Sequence, residues 1–291
     1  MEKVKIGIVG VGNIAQEHIY AYKQNPNVEL YAFCDINPQR LKEMGELHGI
    51  TRCYTSEREM LDALPELDAV SVCTWNNQHA PCTIMALEAG KNVLCEKPMA
   101  TSVAEAEKML ETARRCNRLL MIGFVCRFGK DCALMEDFIR SDFFGEMYYA
   151  KATYLRRCGN PGGWFSDKSR SAGGPLIDLG VHVIDLTRFL MGNPKPISVY
   201  GATFQKLWDR PGVKGKFEYG ASSGSAEHIC DVEDLAVALV RYENGAVLEV
   251  ETSYSLNLKE DRYSQEYFGT KGGVKIDPNL EFYTEVNGYM A

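Results

Sequence analysis

Strand-length apolar runs alternate with helical patterns through the first 124 residues. The runs are Val4–Val9, Val28–Cys34, Ala69–Thr74, Asn92–Cys95 and Leu119–Phe124. Between them lie helical patterns near Asn13–Gln24, Pro38–His48, Ser56–Leu64, His79–Ala89 and Ser102–Cys116. This alternation predicts a doubly wound parallel sheet with helices on both faces. The strands are apolar along nearly their whole length, as strands covered on both sides must be. A short strand near Arg52–Tyr54 would complete six. Local signals agree: Gly49 and Gly90 stand where helices end, and Pro38 suits a first helical turn. Ser102-Val-Ala-Glu105 has the capping-box pattern.

The second half reads differently. A helix near Lys130–Ser141 is followed by a long strand at Glu146–Arg157, a Gly-rich loop and one strongly apolar helix over Pro175–Met191. Strand-like runs then dominate: Ile197–Leu207, Leu235–Tyr242, Ala246–Ser255 and Arg262–Gly269. Asn244-Gly245 between two of them is a hairpin signal. This predicts an α+β domain with a large mixed, mainly antiparallel sheet, over 125–291, after an N-terminal domain over 1–124. The stretch Arg210–Ala226, rich in Gly, Ser and charge, reads as a mobile surface loop.

The net charge of −7 argues against a general affinity for nucleic acid or an anionic membrane. No apolar run reaches spanning length, and charged Glu2, Lys3 and Lys5 lead straight into a strand rather than a signal peptide. Ten cysteines show no C-x-x-C pair and no metal-ligand spacing with His, so no metal site is expected. Cys34, Cys73 and Cys95 lie within strands and read as small buried hydrophobes of a reducing, cytoplasmic compartment.

Gly10-Val-Gly12-Asn13-Ile14-Ala15 follows the first strand and opens a helix. Gly10 permits the tight turn, Gly12 lets a pyrophosphate approach the backbone, and Ala15 allows close helix–strand packing. The phosphates would sit on the helix N-terminus at Asn13. Asp35 ends the next strand about 20 residues further on, where a carboxylate accepts from ribose hydroxyls and repels a 2′-phosphate. The pattern points to a dinucleotide, with NAD favoured over NADP, although Arg40 lies close enough to complicate the preference.

Two further features carry chemistry. Glu96-Lys97-Pro98 lies just beyond the strand Asn92–Cys95, at the sheet end where open parallel sheets bind ligands. Pro98 restricts the geometry at Lys97, whose ammonium could stabilise charge on a reacting oxygen or simply be a surface lysine in a turn. The apolar helix carries Asp178, His182 and Asp185 on one face, and ionisable groups on a buried helix are costly unless paired or used. A His–Asp pair there suits a general base, the alternative being a structural hydrogen bond.

Together, the glycine turn, Thr74-Trp75-Asn76-Asn77-Gln78-His79, Glu96-Lys97-Pro98 and Gly173-Gly174-Pro-Leu-Ile-Asp178-Leu-Gly180-Val-His182-Val-Ile-Asp185 resemble the Gfo/Idh/MocA oxidoreductases. Arg127-Phe128 and Gly269-Thr-Lys-Gly272-Gly273 extend the resemblance along nearly the whole chain. It implies a Rossmann domain and a mixed-sheet domain whose exposed face mediates homo-oligomerisation, as dimer or tetramer. It implies Lys97, Asp178 and His182 in the active site: His182 exchanging the proton, Lys97 orienting the substrate hydroxyl, Asp178 positioning both. Asn76 and His79 match the loop near the nicotinamide, with Thr74 and Glu96 beside them.

The sequence departs from the family pattern in three places. Trp75 replaces a usual proline, Ala172 replaces a common glycine, and family members usually continue past the Gly269–Gly273 stretch with further helix and strand. The last point implies a C-terminally shortened second domain.

The implied activity is hydride transfer between NAD and a hydroxyl-bearing carbon of a sugar, inositol or related polyol. Two alternatives share the residues: a glycoside-cleaving enzyme that oxidises its substrate transiently with NAD, and a non-catalytic NAD-binding sensor. Arg156, Arg157, Trp164 and Lys168 are candidates for substrate contact.

Overall fold

The computed structural model describes residues 2–208, 210, 213, 230–276 and 279–291. These form two compact units, one of 2–123 with 169–172, the other of 124–168 and the described residues from 173 onward. Most of the stretch expected as a mobile loop, Arg210–Ala226, lies outside the described residues; Arg210 and Val213 alone are within them.

The first unit holds a six-stranded sheet of β1 (Val4–Val9), β2 (Val28–Cys34), β3 (Cys53–Tyr54), β4 (Ala69–Val72), β5 (Asn92–Cys95) and β6 (Leu120–Ile122), in the order β3-β2-β1-β4-β5-β6. Every pair is parallel. The helices are α1 (Asn13–Gln24), α2 (Pro38–His48), α3 (Glu57–Ala63), α4 (His79–Glu88) and α5 (Val103–Cys116). One buried cluster gathers Ile8, Ala15, Ile19 and Phe33 and another Val70, Val72, Leu87 and Met109. Cys34, Cys73 and Cys95 are buried as expected, and burial pushes the Cys34 and Cys95 thiols up to about 12. Asn37 caps α2 by accepting from the Gln39 and Arg40 N–H groups, and Gly49 ends it in the left-handed conformation.

The strand order reverses between β1 and β4, so the chain leaves their carboxyl ends in opposite directions and opens a crevice there. Gly10 makes that possible. Its φ is +86°, and a Cβ would stand 2.6 Å from the Cys73 carbonyl oxygen. Any other residue would push β1 and β4 apart at the crevice.

The second unit begins with α6 (Lys130–Arg140) and β7 (Met147–Leu155), followed by a single turn α7 (Lys168–Ser171) whose last three residues group with the first unit. After α8 (Val181–Leu190) come β8 (Pro196–Phe204), β9 (Leu235–Tyr242), β10 (Val247–Ser253), β11 (Arg262–Gly269), β12 (Gly272–Ile276), β13 (Leu280–Val286) and β14 (Tyr289–Met290). The sheet order is β14-β13-β12-β11-β7-β10-β9-β8, with only β7 and β10 parallel. One face is a core: Ala150, Ala152, Leu248, Val250, Tyr267 and Val274 pack with Met135 of α6 and Val183, Leu186 and Leu190 of α8. The small alanines of β7 admit the helices closely. All nine residues of β8 are exposed.

Two expectations change. The helix over Pro175–Met191 is present but not α-helical throughout: a π-turn over Leu176–Gly180 runs directly into α8. Nor is it buried all round, because Asp178, His182 and Asp185 are half-buried. Only the side carrying Val183, Leu186, Thr187 and Leu190 is core. The hydrophobic second face was apolar by composition and yet stays partly open. Strands β12 to β14 were not anticipated, although Leu280, Phe282, Thr284 and Val286 alternate as a strand does.

Glu57, in the first turn of α3, is 9% exposed, and its Oε1 has no hydrogen-bond partner. Burial pushes its carboxyl up to about 7, a hydrogen bond with Cys82 and the charge of Arg58 offsetting only part of this. The unfolded chain ionises near pH 4 while the native state resists, so this stability is full in acid and is lost as pH rises to about 7. The whole effect is about 3 kcal/mol. Glu57→Gln removes the titration: urea unfolding should show the variant gaining on the wild type by about 2 kcal/mol between pH 5 and pH 8. Parallel pH curves for the two proteins would contradict the buried carboxyl.

Candidate active site

The first unit gathers the cofactor-type residues at the carboxyl ends of its strands. The turn from β1 into α1 places Gly10, Gly12, Asn13, Ile14 and Ala15; Ala15 is fully buried against the sheet. Gly12, the α1 N-cap, supplies no side-chain cap, and the first turn has no acid. Helix N–H groups and the positive end of the helix dipole are thus left for an anion. Asp35 follows β2; its Oδ2 accepts from Val11 N–H at 2.8 Å and its Oδ1 from Asn37 N–H at 2.8 Å. The carboxylate is therefore locked against the glycine turn, with each oxygen retaining a lone pair for a ribose hydroxyl. Arg40 donates from Nε to the Val11 carbonyl at 3.0 Å. It is thus tied to the same turn. A tight glycine turn, an uncapped helix end and a fixed carboxylate suit a dinucleotide.

The loop after β4 carries Thr74, Trp75, Asn76 and His79. Asn76 is buried and donates to the Ser171 carbonyl at 2.7 Å, while Asn77 donates to the Ser169 carbonyl at 3.0 Å. The Arg170 guanidinium lies 4.4 Å from the Trp75 ring. Trp75, where the family pattern has proline, thus adds a cation–π contact to these anchors. Ala172 has φ +69°, a left-handed conformation that costs alanine about 1 kcal/mol and glycine little.

His79 is 1% exposed; its Nδ1 lies 2.6 Å from the Pro98 carbonyl and its Nε2 3.2 Å from that of Thr74. Burial holds its pKa below the ordinary range against the pull of both carbonyls, so the ring is neutral near pH 7 and carries one N–H. The shorter contact assigns that proton to Nδ1. His79 thereby ties the loop after β4 to the turn after β5.

In that turn the Lys97–Pro98 bond is cis. Glu96 is 6% exposed and accepts from the Lys97 N–H at 3.2 Å. Its Oε1 lies 2.8 Å from Nε2 of His18 on α1. Burial would raise the Glu96 carboxyl, but the His18 hydrogen bond and charge, with Lys97, outweigh it and hold it below the usual carboxylate range. His18 carries no motif, and sequence reading missed it.

The second unit holds Asp178 and His182. The Gly173-Gly174 approach is tight: a Cβ on Gly174 would lie 2.1 Å from the Glu233 carbonyl oxygen. The Glu233 carboxylate accepts from Gly174 N–H at 2.9 Å and Leu176 N–H at 3.2 Å, capping the π-turn. Asp178 Oδ2 accepts from the Tyr254 hydroxyl at 3.0 Å. Tyr254 is fully buried; burial, then the Asp178 charge, keeps its phenol protonated. His182 Nδ1 lies 3.9 Å from Cys126 Sγ, and that sulfur lies 3.7 Å from the Tyr263 hydroxyl. Asp185 is engaged elsewhere, taking a two-pronged ion pair from Arg127 at 2.7 and 2.5 Å. The Arg127 guanidinium also lies 4.7 Å from the Phe189 ring, so it clamps the Val125–Phe128 turn to α8.

Of the substrate candidates, Arg156 donates to the Gly159 carbonyl at 3.2 Å and the Tyr154 hydroxyl at 3.3 Å. Trp164 stacks on Phe165 at 3.9 Å. Arg157 and Lys168 are fixed through backbone N–H groups that donate to Asp261 and Asp231, each aspartate on a neighbouring loop.

Comparison with known proteins adds to this geometry. Residues 4–124 match the model of the GFO/IDH/MocA oxidoreductase family with an NAD-binding Rossmann fold, and residues 133–275 match the GFO/IDH/MocA C-terminal domain. The chain is 34% identical over 290 residues to D-glucoside 3-dehydrogenase of Escherichia coli (strain K12), covering 99% of this chain and 80% of that protein. It is 27% identical over 274 residues to myo-inositol 2-dehydrogenase of Thermotoga maritima, covering 94% and 75%. The fold matches that of levoglucosan dehydrogenase in complex with NADH at a TM-score of 0.86 and 24% identity, over 100% of this chain and 79% of that one. An oxidoreductase domain protein from Kribbella flavida matches at 0.86 and 28% identity, over 100% and 80%. No helix among the described residues is long and apolar enough to cross a membrane.

Asp35 supplies the test of cofactor choice. Asp35→Ser removes the ribose acceptor and the charge that opposes a 2′-phosphate. Fluorescence titration should show NAD affinity falling about 10-fold and the NAD-over-NADP preference shrinking by at least that factor. Unchanged affinity for both dinucleotides would remove Asp35 from the cofactor site.

Proposed function

Because the chain belongs to the Gfo/Idh/MocA oxidoreductase family, we propose that it transfers a hydride between NAD and a hydroxyl-bearing carbon of a sugar, with glucosides foremost and inositols next. The single strongest support is the match to D-glucoside 3-dehydrogenase along 99% of the chain. In this reading residues 1–124 bind NAD and 125–291 bind substrate and carry oligomer contacts.

Bound NAD supplies the hydride acceptor. The rest falls to side chains. Lys97 hydrogen-bonds the substrate oxygen and stabilises negative charge as the O–H bond breaks. With Nδ1 of His182 facing Cys126, we assign Nε2 as the atom that takes the hydroxyl proton. Gly10, Gly12 and Asp35 would hold the dinucleotide, which would accept the hydride from the same carbon. Asp178, its carboxylate fixed by the Tyr254 phenol, orients the substrate hydroxyls. Ten thiols, with Cys34, Cys73 and Cys95 buried in the parallel sheet, support a reducing, cytoplasmic setting.

We further propose a homo-oligomer, dimer or tetramer, through the uncovered face of the eight-stranded sheet. Tyr200 is 82% exposed and Leu239 46%, in register on β8 and β9 beside Glu249 and Glu251 of β10. An apolar strip rimmed by charge is the usual composition of a subunit contact.

Two experiments follow. With NAD and a panel of glucosides and inositols, Lys97→Met and His182→Asn should each lower kcat by about 100-fold or more while NAD affinity stays within about 3-fold. Full activity in both variants would defeat the assignment, and sugar release without net NADH would favour transient oxidation. Tyr200→Glu with Leu239→Glu should reduce the sedimenting species toward monomer, since two carboxylates per copy cannot be buried unpaired. An unchanged mass would place the contact elsewhere.

A further inference from the structure

Glu96 is among the residues placed beside the nicotinamide, but its partner His18 belongs to neither the cofactor reading nor the proton-transfer reading. His18 lies on α1, and Glu96 lies on the turn after β5, 78 residues later. Their side chains are 10% and 8% exposed. Such a pair is costly to bury unless its geometry is good and further hydrogen bonds satisfy the remaining lone pairs.

The geometry has two arms. Glu96 Oε1 meets His18 Nε2 at 2.8 Å, and Oε2 accepts from the backbone N–H of Lys97 at 3.2 Å. One buried carboxylate thus joins α1 to the backbone of Lys97. Room for it is kept by Gly123, where a Cβ would stand 3.2 Å from Oε1. On the other side of Lys97, His79 holds the Pro98 carbonyl at 2.6 Å. The turn is therefore gripped at the Lys97 N–H by one histidine acting through Glu96 and at the Pro98 carbonyl by another.

The surroundings fix His18 in turn. The Tyr22 ring of α1 stands edge-on at 6.1 Å, and its hydroxyl meets Ser71 Oγ of β4 at 2.5 Å. The other titratable groups within electrostatic reach of Glu96 are Cys73 after β4, Cys95 of β5, His79 of α4 and Lys97 itself.

We propose that His18 is a positioning residue for Lys97: by holding Glu96, it fixes the backbone from which the Lys97 amine reaches the substrate oxygen. This rests on the reading of Lys97 given above. His18 itself touches neither substrate nor cofactor in this scheme. Without it, Oε1 is a buried carboxylate oxygen lacking its donor. The group must then protonate, which weakens the acceptor that Oε2 offers the Lys97 N–H, or turn toward another donor, which releases that N–H. A displacement of about 1 Å in a catalytic group costs on the order of 100-fold in rate.

The test uses the full chain with NAD and a turned-over glucoside or inositol. His18→Leu should lower kcat about 30-fold or more, with KM and NAD affinity within about 3-fold. His18→Gln presents an amide N–H near the position of Nε2 and should recover kcat to within about 3-fold of wild type. In a Glu96→Gln background, His18→Leu should cost less than about 3-fold, because the two residues act as one unit. If His18→Leu does not fold, His18→Asn replaces it, its amide being too short to reach Oε1.

Wild-type kcat in His18→Leu, no recovery in His18→Gln, or losses that multiply with Glu96→Gln would each overturn the proposal. A second readout needs no turnover. Acetylation of Lys97 by acetic anhydride, followed by mass spectrometry, should change in rate by about 3-fold or more in His18→Leu while other lysines keep theirs. An unchanged Lys97 rate overturns the proposal even if no substrate is found. A changed rate with no turnover would instead count against the reading of the reaction.

Discussion

The close approach of the β1 turn to the end of β4 is the constraint on which the first unit depends. With no Cβ at Gly10, the backbone passes within contact of the Cys73 carbonyl at φ +86°. That proximity keeps β1 and β4 paired up to their carboxyl ends, Cys73 N–H donating to the Val9 carbonyl at 2.7 Å. The reversal of strand order at that pair then puts the α1 N-terminus, Asp35 and the loop after β4 around one crevice. A dinucleotide needs just these things: uncapped N–H groups for phosphate and a fixed carboxylate for ribose.

Buried polar groups organise the rest. Glu96, His79 and Asn76 are each nearly inaccessible, and each holds a loop by its backbone. In a low-dielectric interior an unpaired polar group is expensive, so such contacts specify loop conformation more sharply than apolar packing does. The same logic appears in the second unit, where Glu233 caps the π-turn and the Tyr254 phenol fixes Asp178. Arg127 and Asp185 add an ion pair that locks a turn onto α8. Residues assigned to chemistry are thus set on elements whose backbone is tied down by other side chains. Rigid mounting of this kind is what positioning in catalysis requires.

Glu57 marks the opposite case. Its carboxyl is buried with one oxygen unpartnered, and it weakens the protein above neutral pH without serving the residues assigned to the reaction. Nothing in the structure explains why a carboxylate stands there.

Much of the fold was legible in the chain. Local periodicity and turn chemistry act over a few residues, so the strands Val4–Val9, Val28–Cys34 and Asn92–Cys95 and the helices Asn13–Gln24 and Pro38–His48 could be read directly. The glycine turn, Asp35 and Lys97 were visible for the same reason: each is a short motif at a strand end. What the sequence could not decide were pairings at long range. His18 with Glu96, Tyr254 with Asp178, Glu233 with Gly174 and Arg127 with Asp185 are separated by 78, 76, 59 and 58 residues. Such partners are chosen by strand register and helix placement, which local spacing does not encode. The π-turn before α8 is of the same kind, since an extra residue in one helical turn depends on what the helix packs against and on what caps it. Chain-local chemistry therefore determined the crevice and its cofactor. Tertiary packing alone decided which side chains hold that chemistry in place.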